Sequence, residues 1–219
     1  MLSAENNSSS AFAVPTTRGR RCEPPAPGTV PMRELVMPKL APSAATRMSQ
    51  ASASSQPPVI AAVEGFCVTG GCELALACDI RVAAEGSSFG ITSSRIGTVP
   101  GAGGSQRLPR VVGTAKALEL LFSADSIDAQ EAHRIGLVNR VVPKGRALAE
   151  AKAMVAVYAE RAPLSLAWDK RAVYQGMQMD LASGLELETF LVSTIYMSND
   201  RKEGISAFLE KRKAKFKGN

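Results

Sequence analysis

An α/β core followed by a helical C-terminal region is the fold class this sequence predicts, and three observations predict it. Short β-rich apolar runs recur between residues 59 and 145, and glycine pairs and a Gly-rich stretch separate them. Helical spacing of apolar residues then dominates from residue 108 to the end. The expected division is a disordered or unrelated segment at 1–58, a core at 59–145 and a helical region at 146–219.

Residues 1–58 hold nine each of Ser, Pro and Ala and a single aromatic, Phe12, with no sustained period of 2 or 3.6. Such a composition cannot bury enough apolar area to offset its ordering entropy, so disorder is expected. Its basic residues (Arg18, Arg20, Arg21, Arg33, Lys39, Arg47) outnumber its acids (Glu5, Glu23, Glu34). That fits an organelle-targeting segment, a plain tail or a mis-assigned start. Regular patterning begins after Pro58. VIAAV at 59–63 reads as a buried strand, ended by a turn at Glu64-Gly65. Gly70-Gly71 opens CELALAC at 72–78, whose spacing suits a buried helix, and DIRVA at 79–83 is a second strand. The stretch GTVPGAGG at 97–104 can only be loop. One more strand is expected at 137–142, and helices at 147–161, 164–177, 181–197 and 201–213.

At 219 residues the chain is long enough for one domain with a real core, and 45% hydrophobic with 21% charged residues is ordinary for a globular protein. The net charge of +6 favours anionic partners without selecting one. Cys22, Cys67, Cys72 and Cys78 lack CxxC spacing, and the single His133 stands far from them. Neither a metal site nor a disulfide framework is therefore expected, and a reducing compartment fits best. No apolar run reaches membrane-spanning length, so no membrane partner is expected.

The most informative segment is AVEGFCVTGGCELALACD at 62–79. A strand feeding a Gly-Gly turn into a helix leaves unpaired N–H groups at the helix start, suited to an anion or to an oxygen that becomes negative during reaction. Glu73 follows within the first turn; from spacing alone it is equally a glutamate that merely complements the helix dipole.

GGCELALACDIRVAA at 70–84, VPGAGGSQRLPRVVG at 99–113 and DRKEGISAFLEKRKAKFKG at 200–218 together resemble the enoyl-CoA hydratase/isomerase (crotonase) superfamily from about Pro57 onward. ELALACDIRVAA and YQGMQMDLASGLELE resemble its methylglutaconyl-CoA hydratase branch. The resemblance implies a spiral of ββα units, incomplete at the front, with a helical C-terminal trimerisation region. It also implies acyl-CoA substrates, a homo-oligomer (trimer or dimer of trimers), and no cofactor, since coenzyme A is part of the substrate. The implied reaction stabilises a thioester enolate on backbone N–H groups while glutamates move protons. Gly70 matches an oxyanion donor, Glu73 the first catalytic glutamate, and Phe208 and Lys211 match contacts to the CoA nucleotide.

Three departures from the family pattern stand out. The second catalytic glutamate belongs four residues after Phe89, where this chain has Ser93. A serine hydroxyl cannot deliver a proton as a carboxylic acid does, and losing a positioned general acid costs about 10²–10⁴-fold. The family's segment resembling AFSAGAD, which supplies another oxyanion donor, has no match in residues 1–58. Lacking that front, the sheet is expected to keep an unpaired edge. Thr69 replaces a third glycine, a change that either narrows the mouth of the oxyanion site or is tolerated.

The loop at 100–104 lacks the Lys-Ser/Thr pair of a P-loop and is expected to serve as structural punctuation. His133, Trp168, Met177 and Met179 are expected at structural positions. The basic C-terminal run at 211–217 is expected at a solvated helix end or against a nucleotide phosphate. Two function classes compete: an acyl-CoA hydratase or isomerase working through Gly70 and Glu73, and a non-catalytic family remnant that binds CoA or assembles with paralogues. Nucleic-acid binding is not expected, because no basic aromatic face is present. A mitochondrial location is expected, with a cytoplasmic one as the alternative.

Overall fold

A strand with both faces covered needs apolar residues throughout, and VIAAV meets that requirement. In the computed structural model, which describes residues 57–219 and the backbone of one earlier strand, Val59–Val63 is buried at every position. It forms β2, the second strand of a four-stranded parallel sheet ordered β1-β2-β4-β7. Its neighbours are β1 (Arg33–Val36) and β4 (Ile80–Ala84), and β7 (Arg140–Val142) pairs with β4 on its other side. A second sheet joins β3 (Phe66–Val68), β5 (Ser88–Gly90) and β6 (Ile127–Asp128), with β3 and β5 parallel and β6 antiparallel.

From β2 to β5 the strands alternate between the sheets: β2 turns into β3 and β4 into β5, and helical segments return the chain to the first sheet at β4 and, after β6, at β7. That is the expected spiral of ββα units. The helices are α1 (Gly70–Leu76), α2 (Gly104–Val112), α3 (Thr114–Ser123), α4 (Ala129–Arg134), α5 (Ala147–Tyr158), α6 (Pro163–Gly176), α7 (Leu181–Ile195) and α8 (Asn199–Leu209). Each helix predicted from spacing is present within a few residues of its expected bounds.

Alternate residues of β2 serve two cores. Val59, Ala61 and Val63 face a cluster with Cys67, Cys72, Cys78, Phe89, Ile91 and Leu108 between the sheets. Ile60 and Ala62, with Val82 and Ala84 of β4, pack against Ala147, Ala151 and Met154 of α5. Cys67, Cys72 and Cys78 are buried and form no disulfide with one another, as their apolar setting predicted. Contact with the Cys72 thiol and burial both push the Cys67 thiol above its ordinary range.

Two expectations need correction. Arg33–Val36, inside the segment read as disordered, is a strand paired in parallel with β2 from Arg33 opposite Val59 to Val36 opposite Ala62. The β2 edge, expected to be unpaired, is therefore occupied. Four residues are too short to show a period of their own; the waiting N–H and C=O groups of β2 select the conformation. The rest of residues 1–56 lies outside the described residues. Strands β3 and β5 were not anticipated, because three-residue strands flanked by glycine carry no alternation to detect.

Candidate active site

Helix α1 begins in an unusual way. Thr69 occupies its N-cap with φ 50 and ψ −114, a region that suits glycine, and its hydroxyl makes no capping hydrogen bond to the helix. The Thr69 N–H donates to the Gly90 carbonyl at 2.7 Å. Its Oγ1 lies 2.9 Å from Thr92 Oγ1 and accepts from the Thr92 N–H at 3.3 Å. An N-cap threonine ordinarily satisfies first-turn amides; here it is turned away, and the N–H groups of Gly70 and Gly71 have no acceptor among the described residues. Gly70 is the first residue of α1, and its N–H donates to no described residue.

Glu73 lies one turn into α1 and is only 3% exposed. A buried carboxylate needs donors, and two arrive from the loop before α2. The N–H of Ala102 donates to Glu73 Oε1 at 2.7 Å, and the N–H of Gly104 donates to the same oxygen at 2.9 Å. Oε2 accepts no hydrogen bond from a described residue. One oxygen of the carboxylate is pinned and the other is left for chemistry. The loop expected to be mere punctuation therefore holds the acid. A Cβ on Gly104 would lie 3.0 Å from Glu73 Cγ and 2.8 Å from Ile91 Cδ1, so only glycine lets the backbone come this close. A glycine-rich loop just before a helix is the signal that could have revealed this role.

Ser93 opens the 3₁₀ turn Ser93–Ile96 and is 4% exposed, so it is buried at the position the family pattern gives to the second glutamate. Ile91, two residues before it, flanks Gly104 together with Glu73, and this brings the Ser93 segment to the Glu73 site. Thr92, which sequence reasoning passed over, ties the same segment to the start of α1. Phe208 and Lys211 lie elsewhere. Phe208 is 83% exposed near the end of α8, and the exposed Lys211 just beyond it has φ 55. Neither hydrogen-bonds to the residues around Glu73. His133 Nδ1 donates to the Val138 carbonyl at 2.9 Å, a structural position.

The fold and the sequence around this site have known counterparts. The family model described as enoyl-CoA hydratase/isomerase matches residues 41–219, beginning earlier than the resemblance read from motifs. A crotonyl-CoA hydratase of Syntrophomonas wolfei is 46% identical over 159 residues, covering 73% of this chain and 61% of that protein. A mitochondrial methylglutaconyl-CoA hydratase of Rattus norvegicus is 41% identical over 165 residues, covering 74% of this chain and 52% of that protein. The chain thus spans between half and two thirds of the length of these relatives. Among solved structures, an enoyl-CoA hydratase from Bacillus anthracis superposes with a TM-score of 0.79 at 39% identity, over 81% of this chain and 69% of that one. The chain belongs to the enoyl-CoA hydratase/isomerase family.

Proposed function

We propose that this chain acts on 2-enoyl-CoA thioesters, adding water across the double bond or shifting that bond, through Gly70 and Glu73. The observation that carries the reading is the Glu73 carboxylate, buried, held through Oε1 by two backbone amides, with Oε2 bound by no described residue and the unpaired Gly70 N–H one turn earlier in the same helix. In hydration, Oε2 accepts a proton from water as the oxygen bonds to C3. The electron pair of the C2=C3 bond moves onto the thioester oxygen, and the Gly70 N–H stabilises that enolate. A proton is then delivered to C2, and the product is the 3-hydroxyacyl thioester. Ser93 supplies no acid for that last step, so the proton returns from Glu73 or from water. Turnover is accordingly expected about 10²–10⁴-fold below that of a two-carboxylate site.

Phe208 and Lys211 belong to this reading as contacts for the CoA nucleotide, supported by their exposure and the basic run beyond them. No cofactor enters the reaction, because coenzyme A arrives with the substrate. Residues 59–145 would provide the chemistry and residues 146–219 the assembly into a trimer or dimer of trimers. The mitochondrial location of the rat relative supports the same compartment here, and a fluorescent fusion of the full chain tests it.

The test of function is hydration of crotonyl-CoA by the purified chain, by Glu73→Gln and by Ser93→Glu. Slow turnover is expected from the unmodified chain, none from Glu73→Gln, and a gain of about 10²-fold or more from Ser93→Glu. Equal rates for the unmodified chain and Glu73→Gln, or no turnover from any of the three, would overturn it.

A further inference from the structure

The loop that pins Glu73 is itself held from behind. Ala102 uses both sides of its backbone: its N–H donates to Glu73 Oε1 at 2.7 Å, and its carbonyl accepts from Arg107 Nη1 at 2.8 Å. Arg107 lies in the first turns of α2, and its guanidinium folds back under the loop. At Gly103, with φ 101, a Cβ would stand 2.2 Å from Arg107 Nη1 and 2.9 Å from Cζ, so the guanidinium rests directly against bare backbone. The N–H of Arg107 donates to the Gly103 carbonyl at 2.8 Å, closing the same turn. A cation near a helix N-terminus opposes the helix dipole. Helix formation alone therefore gives no reason for an arginine here, whereas the charge-assisted bond to Ala102 does.

We propose that Arg107 is a positioning residue for Glu73. It fixes the Ala102–Gly103 peptide, which lies between the two donors, so that the Ala102 and Gly104 N–H groups converge on Oε1 and leave Oε2 without a donor among the described residues. The catalytic part of this inference rests on the function proposed above; the structural part does not.

Two variants of the full chain test it: Arg107→Met, which keeps the apolar stem and removes the donors, and Arg107→Lys, which restores one donor. The first readout is amide hydrogen exchange in the absence of substrate. In Arg107→Met, exchange at Ala102 and Gly104 is expected to speed up about tenfold, while Leu108, Val111 and Val112 in the same helix keep their rates. Arg107→Lys is expected to recover most of the protection. The second readout is crotonyl-CoA hydration, where Arg107→Met is expected to lower kcat about tenfold with KM unchanged. Unchanged protection at Ala102 and Gly104 in Arg107→Met overturns the proposal, as does faster exchange along all of α2, which would make Arg107 a helix-holding residue only. Loosened amides with an unaltered kcat also overturn it. If the unmodified chain fails to hydrate crotonyl-CoA, the catalytic role of Glu73 falls, and the exchange rates alone decide whether Arg107 sets its geometry.

Discussion

Thr69 keeps a backbone conformation that a β-branched residue avoids, at a cost of about 1–3 kcal/mol. What compensates is local: its N–H reaches Gly90 and its hydroxyl is engaged twice by Thr92. The two threonines therefore act as one unit joining the start of α1 to the Ser93 turn. Thr92→Val is expected to destabilise the protein by about 1 kcal/mol, and the same change made on a Thr69→Gly background by much less, since glycine holds the turn unaided. Urea denaturation of the four proteins of this cycle measures the coupling; an equal cost on both backgrounds would refute it. The contact also supports toleration of Thr69 in place of a glycine, since a second hydroxyl, remote in sequence, meets it.

Helix α6 docks on the first sheet through a polar contact rather than an apolar one. Lys170 Nζ lies 2.8 Å from Asp79 Oδ2, which also accepts the Val59 N–H at 2.6 Å, and both side chains are largely withdrawn from water, at 9% and 15% exposure. Tyr174, one turn along α6, is pushed up to about 12 by burial and by the nearby Asp79 carboxylate. The folded state thus favours the neutral phenol. Its contribution is fully present below the ordinary tyrosine range near pH 10 and is lost as pH rises toward 12. Thermal melts between pH 9 and 12 are expected to show a loss of stability that Tyr174→Phe diminishes. An identical alkaline decline in that variant would remove Tyr174 from the account.

At the scale of the whole chain, the C-terminal helices are under-covered. Among the described residues of α6 none is buried, and in α7 only Leu191 is. Val173, Met177, Leu181, Phe190 and Met197 are each more than 60% exposed. Helices of this length draw most of their stability from packing, and an apolar surface this extensive marks an interface. That supports the proposed assembly. Sedimentation is expected to show a trimer or hexamer at micromolar concentration, and Met177→Glu combined with Phe190→Glu to dissociate it. A monomer in which α6 and α7 stay fully helical would contradict the proposal.

The amino-acid order alone determined the class, the main strands and helices, the buried cysteines, and the candidates Gly70, Glu73 and Ser93. Those follow from local periodicity and from dense motifs, both of which survive without coordinates. Tertiary structure decided the rest. The strand at Arg33–Val36 exists because the β2 edge awaits a partner. The roles of Ala102, Gly104 and Arg107 depend on a loop meeting Glu73 across a separation of 29 to 34 residues, and that of Thr92 on a hydroxyl 23 residues from Thr69. Single hydrogen bonds between distant backbone and side-chain atoms leave no periodic trace in sequence, and only the closing of the ββα spiral brings their partners together.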